Sequence, residues 1–154
     1  AMSEFPRATF GCAREEWEAA TARFGVWQGY VRSQLPSSAA LRLLDFGGPD
    51  AQPWGPFPAT IDLLGDGSVR LLFTPGHTRG HLSVLVRSTG RDVLIVGDAL
   101  YTLRNLREDH LPWRTADDDL YRQSMARLRE YAGAHPDAQL IPTHDAEVWD
   151  RIAA

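Results

Sequence analysis

Between Val69 and Tyr101 the chain reads VRLLFTPGHTRGHLSVLVRSTGRDVLIVGDALY, and no other stretch limits the possible folds so sharply. Val69 to Phe73 and Leu82 to Val86 are apolar runs of strand length, and a third run, Val93 to Val96, ends at Gly97-Asp98. Short apolar runs bounded by Gly and Pro read as strands, so the stretch predicts three strands that deliver polar groups at their ends. The insert after the first run is Thr74-Pro75-Gly76-His77-Thr78-Arg79-Gly80-His81, and its Pro-Gly step disfavours a helix. His77 and His81 are therefore expected on a loop, not one turn apart on a helix face.

The flanking chain predicts an α/β (α+β) arrangement. Ala8 to Ala13 reads as a short strand. Arg14 to Phe24 reads as an amphipathic helix, with Trp17, Ala20, Thr21 and Phe24 at helical spacing and Glu15, Glu16 and Glu18 near its start, where carboxylates suit the helix dipole. From Gly25 to Ser38 no period survives, and Trp27, Tyr30 and Leu35 read either as core or as pocket lining. Leu41 to Phe46 is an expected strand and Gly47 to Pro58 a loop dense in Gly and Pro. Thr60 to Leu64 and Val69 to Phe73 form an expected hairpin across Gly65-Asp66-Gly67-Ser68. Arg104 to Thr115 is irregular.

Ala116 to Tyr131 carries the clearest helical period, in Leu120, Tyr121, Met125, Leu128 and Tyr131, and Gly133 and Pro136 end it. Gln139 to Pro142 is a last strand that delivers Thr143-His144-Asp145. Ala146 to Ala153 closes as a short helix with Val148, Trp149 and Ile152 on one face. One domain is expected over residues 1–154, with Ala1 set aside as a tag remnant.

A chain of 154 residues with 44% apolar content can bury a sizeable core. Its single cysteine, Cys12, cannot form an internal disulfide. A net charge of -4 provides no basic field for nucleic acid. No apolar run reaches membrane-spanning length, and a cytoplasmic location is the expectation.

His77, Asp98 and His144 share one address, each following closely on an apolar strand. A lone loop histidine is ordinary, but the repeated placement predicts that the three converge. Imidazole and carboxylate are the ligands that zinc takes where no thiolates are offered.

These residues carry a resemblance. Thr74-Pro75-Gly76-His77-Thr78-x-Gly80-His81, then Gly97-Asp98-Ala99-x-Tyr101, then Pro142-Thr143-His144-Asp145, resemble the later motifs of the metallo-β-lactamase superfamily, in the manner of its N-acyl-homoserine lactone hydrolases. The resemblance implies an αββα sandwich, represented here mainly by its second half: a mixed or antiparallel sheet with helices on one face. It implies that His77 binds one zinc, that Asp98 bridges two, and that His144 binds the second. Tyr101 would assist at the substrate carbonyl, and His81 and Asp145 would support the ligands without binding metal.

The chain departs from that family in one respect. The earlier H-x-H-x-D-H motif is absent, and no two of the five histidines are separated by a single residue. By resemblance, Met2 to Ala8 falls just after the missing motif. The implied activity is metal-dependent hydrolysis of a lactone or ester, impaired or lost in these residues alone, with a thioesterase or phosphodiesterase as runner-up. The alternative is a non-catalytic, self-associating fragment or degenerate homologue; a further one is that the natural protein has the upstream half. A half sandwich leaves an apolar sheet face and unpaired strand edges, which predicts a homo-oligomer through that face. Trp27, Tyr30, Trp54 and Phe57 read either as walls of an acyl pocket or as core.

Overall fold

The computed structural model describes residues 2–35 and 41–153. Residues 1, 36–40 and 154 lie outside the described residues, and with them the tail of the irregular span from Gly25 to Ser38. Among the described residues eight strands form two sheets. β1 (Phe10–Ala13) and β2 (Leu41–Leu44) pair in parallel, with Phe10 opposite Leu41 and Ala13 opposite Leu44. The other six are β3 (Gln52–Trp54), β4 (Phe57–Asp62), β5 (Val69–Phe73), β6 (Leu82–Val86), β7 (Val93–Gly97) and β8 (Gln139–Pro142), lying side by side in chain order. Every pair in this sheet is antiparallel except β7 and β8.

That single exception positions the site. With β5–β6 and β6–β7 antiparallel, β5 and β7 run in the same direction, and β8 joins them because it is parallel to β7. The C-terminal ends of β5, β7 and β8 therefore meet at one edge of the sheet, and His77, Asp98 and His144 follow those ends. A parallel pair needs a long crossover. Here it includes helix α2 (Asp118–Ala134).

α2 covers one face of the large sheet. Tyr121, Met125, Leu128 and Tyr131 pack with Phe57, Leu72, Leu85, Leu94, Val96 and Leu140 in one core. Burying each of these apolar side chains contributes about 1.5–3 kcal/mol relative to exposure. The opposite face carries a smaller cluster of Ala13, Leu44, Phe46, Ile61 and Leu71, in which β1 and β2 join the large sheet. Coverage there is incomplete, since Ile95 is 43% exposed.

Most of the expected elements are present, with shifted ends. The first helix, α1 (Arg14–Thr21), stops three residues before Phe24, which is exposed. The Arg32 guanidinium donates to the Ala22 carbonyl, and the chain turns back through a 3-10 turn at Gly25–Gln28. The Gly- and Pro-rich segment 47–58 is not a plain loop, because it contains β3 and the start of β4. The last helix, α3 (Ala146–Ala153), buries Val148, while Trp149 and Ile152 stay exposed.

The structure also separates the four aromatics. Phe57 is core, and Trp54 lies against Tyr131 and under the Arg70 guanidinium, so neither walls a pocket at the site. Trp27 is 79% exposed. Only Tyr30 faces the functional edge.

Candidate active site

The loop from Thr74 to His81 is fixed on three sides. Its ends are closed by the Thr74 N–H donating to the His81 carbonyl. From α2, the buried Ser124 hydroxyl donates 2.7 Å to the Pro75 carbonyl, and the N–H groups of Ala116 and Asp117 donate to Gly76. Gly76 has φ +135°, and a Cβ there would lie 2.3 Å from the Tyr121 backbone. Only glycine meets both demands. From α1, the Glu16 carboxylate accepts the Gly80 N–H at 2.9 Å.

His81 works from below the site. Its Nε2 accepts the backbone N–H of Asp98 at 3.1 Å, so in the neutral ring the proton sits on Nδ1 and is donated to Thr74 Oγ1, 3.0 Å away. Ser83 Oγ donates to the Val96 carbonyl, which leaves the Thr74 hydroxyl to donate to Ser83. Every proton in this buried chain is thus assigned by its two ends. Burial, reinforced by the neighbouring His77, pushes the His81 pKa down to about 4, which keeps the ring neutral. Gly97, at φ +58°, lets the chain turn closely over His81 and presents Asp98.

Asp98 stands between two imidazoles. Its Oδ2 lies 3.3 Å from His77 Nε2, and its Oδ1 lies 3.3 Å from His144 Nε2. Tyr101 closes the group, its ring 5.8 Å from that of His77 and 4.8 Å from that of His144. The His144 N–H donates to the Tyr101 carbonyl, tying the two loops together. Asp145 accepts from the N–H of Leu103 at 2.8 Å and of Val148 at 3.2 Å, so it braces the segment after Tyr101 and caps α3. Burial, and then the charge of Asp98, raises the Tyr101 pKa, and the phenol keeps its proton at neutral pH.

The donor set can be tested against a divalent cation. Two donors on one tetrahedral zinc stand about 3.3 Å apart, given bonds of about 2.0–2.1 Å. Both imidazole–carboxylate pairs have that spacing. Asp98 Oδ1 is also buried with no hydrogen-bond partner among the described residues. The pairs point to two positions, however, each with one nitrogen and one oxygen. Among the described residues no group of three or more His, Cys, Asp or Glu side chains closes a metal site. The chemistry fits in kind and falls short in number, because a zinc that keeps a water takes three protein donors.

A cavity of ≈ 370 Å³ opens beside His77 and Tyr101, lined also by Tyr30, Thr78 and Arg114. Arg114 donates to the Trp27 carbonyl, linking two segments that sequence periodicity leaves unassigned. A larger one of ≈ 700 Å³ lies between α1 and the start of α2; it is lined in part by Ala19, Phe73 and Leu120 and holds none of the three donors. Glu16 and Arg114 are the residues near the site that sequence reading did not single out, and Tyr30, which it left open between pocket wall and core, lines the cavity.

Comparison with known proteins gives the arrangement a context. A family model described as the metallo-beta-lactamase superfamily matches residues 11–144. An N-acyl homoserine lactonase, AttM, of Rhizobium radiobacter is 35% identical over 155 residues, which cover 97% of this chain and 54% of the relative. The solved structure of an N-acyl homoserine lactone hydrolase, with the product N-hexanoyl-L-homoserine bound at its catalytic metal center, matches with a TM-score of 0.70 and 25% identity. That match covers 92% of this chain and 48% of the hydrolase. A mutant of AiiA from B. thuringiensis, with N-decanoyl-L-homoserine bound at its active site, has the same fold, with a TM-score of 0.74 at 24% identity over 97% of this chain and 52% of its own. The chain spans about half the length of the curated relatives it matches.

Proposed function

Because the chain belongs to the metallo-beta-lactamase superfamily, we propose that it provides part of the active site of a metal-dependent hydrolase acting on a lactone or ester. One observation carries this reading: Asp98 offers one carboxylate oxygen to each of two imidazoles, at 3.3 Å on both sides. A carboxylate so placed is suited to bridging two cations. His77 with Asp98 Oδ2 would hold one, and His144 with Asp98 Oδ1 the other, with zinc the metal favoured by this donor chemistry. Such a pair, when bound, supplies hydroxide near neutral pH and polarises a carbonyl.

The chain's own residues have the remaining parts. Tyr101 keeps its phenolic proton and can donate it in a hydrogen bond to the oxyanion that develops on the substrate carbonyl. His81 holds the Asp98 backbone through a fixed tautomer. Asp145 braces Leu103 and so the segment after Tyr101. The names of the relatives make N-acyl homoserine lactones the first substrates to try. We propose a cytoplasmic location. Among the described residues no helix is long and apolar enough to cross a membrane.

With two donors per metal position, the 154 residues alone are expected to be impaired or inactive as a hydrolase. Ring opening of N-hexanoyl-homoserine lactone should require added Zn²⁺ or Co²⁺ and should fall at least about tenfold in Asp98→Asn, a loss of about 1.4 kcal/mol. Turnover that needs no metal and survives this substitution would contradict the reading. A second reading is favoured by the exposed Ile95: a non-catalytic chain that self-associates through its uncovered sheet face. Absence of any metal binding that depends on His77, Asp98 and His144, together with a stable oligomer, would select it.

A further inference from the structure

The strongest unexplained feature near the site is a carboxylate with two partners distant in sequence. Glu16, in the first turn of α1, accepts the Gly80 N–H on Oε2 at 2.9 Å and the Tyr30 hydroxyl on Oε1 at 2.9 Å. Gly80 is buried, and a Cβ on it would lie 2.4 Å from the Glu16 backbone nitrogen and 2.5 Å from its Cβ. The helix and the loop therefore touch backbone to backbone at this point, with both carboxylate oxygens occupied. Tyr30 lines the cavity beside His77 and Tyr101, and Thr78, one residue beyond His77, lines the same cavity.

We propose that Glu16 is a positioning residue for His77. Its carboxylate joins α1, the cavity wall at Tyr30 and the loop at Gly80 into one unit, and the imidazole of His77 keeps its direction toward Asp98 because the loop's far side is held. Without it the loop retains the bonds to the Pro75, Gly76 and His77 carbonyls, the Gly76 N–H bond to the Thr78 carbonyl and its His81 end. The freed part is the stretch just beyond, Thr78 to Gly80, which adjoins the imidazole of His77. The metal arm of this proposal rests on His77 being a donor, and the test separates the two ideas.

The metal-free full chain is labelled with ¹⁵N, and the Gly80 amide and the imidazole signals of His77 and His144 are compared in wild type, Glu16→Ala, Glu16→Gln and Tyr30→Phe. Glu16→Ala should move the Gly80 amide upfield and shift or broaden His77 while leaving His144 in place. Glu16→Gln keeps an acceptor for Gly80 and should restore both signals. Tyr30→Phe removes one bond of the two and should give an intermediate change, and it keeps the test open if Glu16→Ala fails to fold.

In parallel, Co²⁺ titration followed by its visible spectrum should show at least tenfold weaker binding in Glu16→Ala, with recovery to within about threefold in Glu16→Gln. If the wild type takes up no cobalt, His77 as a donor fails, and the imidazole signals still decide the role of Glu16. Unchanged His77 signals in Glu16→Ala, or equal displacement of His77 and His144, would overturn the proposal.

Discussion

Thr74 shows how one side chain can fix several others. It accepts from His81 and donates to Ser83, and it is 1% exposed. Thr74→Val keeps the shape but strands the Nδ1 proton of His81 and an acceptor site on Ser83, and each buried unsatisfied group costs about 1–3 kcal/mol. Urea unfolding should show a loss of at least about 2 kcal/mol, the lower part of the sum for two such groups. A loss under 0.5 kcal/mol would mean that the chain of hydroxyls is not closed as described. His77, Asp98 and His144 were legible in the sequence because each directly follows an apolar strand, and strand ends are local signals. Glu16 was not. In sequence it is one of three glutamates suited to a helix start, and its partner Gly80 is 64 residues away.

At the scale of elements, α2 both covers the sheet and holds the loop from Thr74 to His81, so its start should be sensitive to substitution. Asp117 caps the helix by accepting the Leu120 N–H at 2.9 Å. Asp117→Ala should cost about 1 kcal/mol, within the usual range for a lost N-cap. Ser124→Ala should cost about 1–2 kcal/mol, because it leaves the Pro75 carbonyl buried without its donor. Chemical denaturation of both variants checks these values, and an additive double variant would show that the two ends of the contact act independently. β5 and β6 were readable to the residue, since Thr74-Pro75 and Arg87-Ser88 punctuate clean apolar runs. β3 was hidden by Pro53, which reads as loop. It is an edge strand, where a missing N–H costs little. α1 was read too long because Phe24 falls on its helical period, and that period cannot reveal the carbonyl contact with Arg32 that accompanies its end.

The whole molecule is asymmetric. One sheet face is filled by α2, and the other is covered only partly by the β1–β2 pair, leaving Ile95 in solvent. A two-stranded pair with two open edges is a marginal structure by itself. The chain should therefore self-associate through this face, and Ile95→Lys should shift the mass by light scattering toward the monomer without lowering stability by more than about 1 kcal/mol, since the residue is already exposed. An unchanged oligomer in the variant would place the contact elsewhere.

The central claim is that Asp98 serves two metal positions, each with one histidine. Zinc bound per chain is measured most directly by equilibrium dialysis over a range of free Zn²⁺, with elemental analysis of the retained metal. The account predicts weak, saturable binding that approaches two ions per chain, with Asp98→Ala removing both and His77→Ala or His144→Ala removing one each. A single ion abolished by either histidine substitution alone, or uptake indifferent to Asp98, would contradict it.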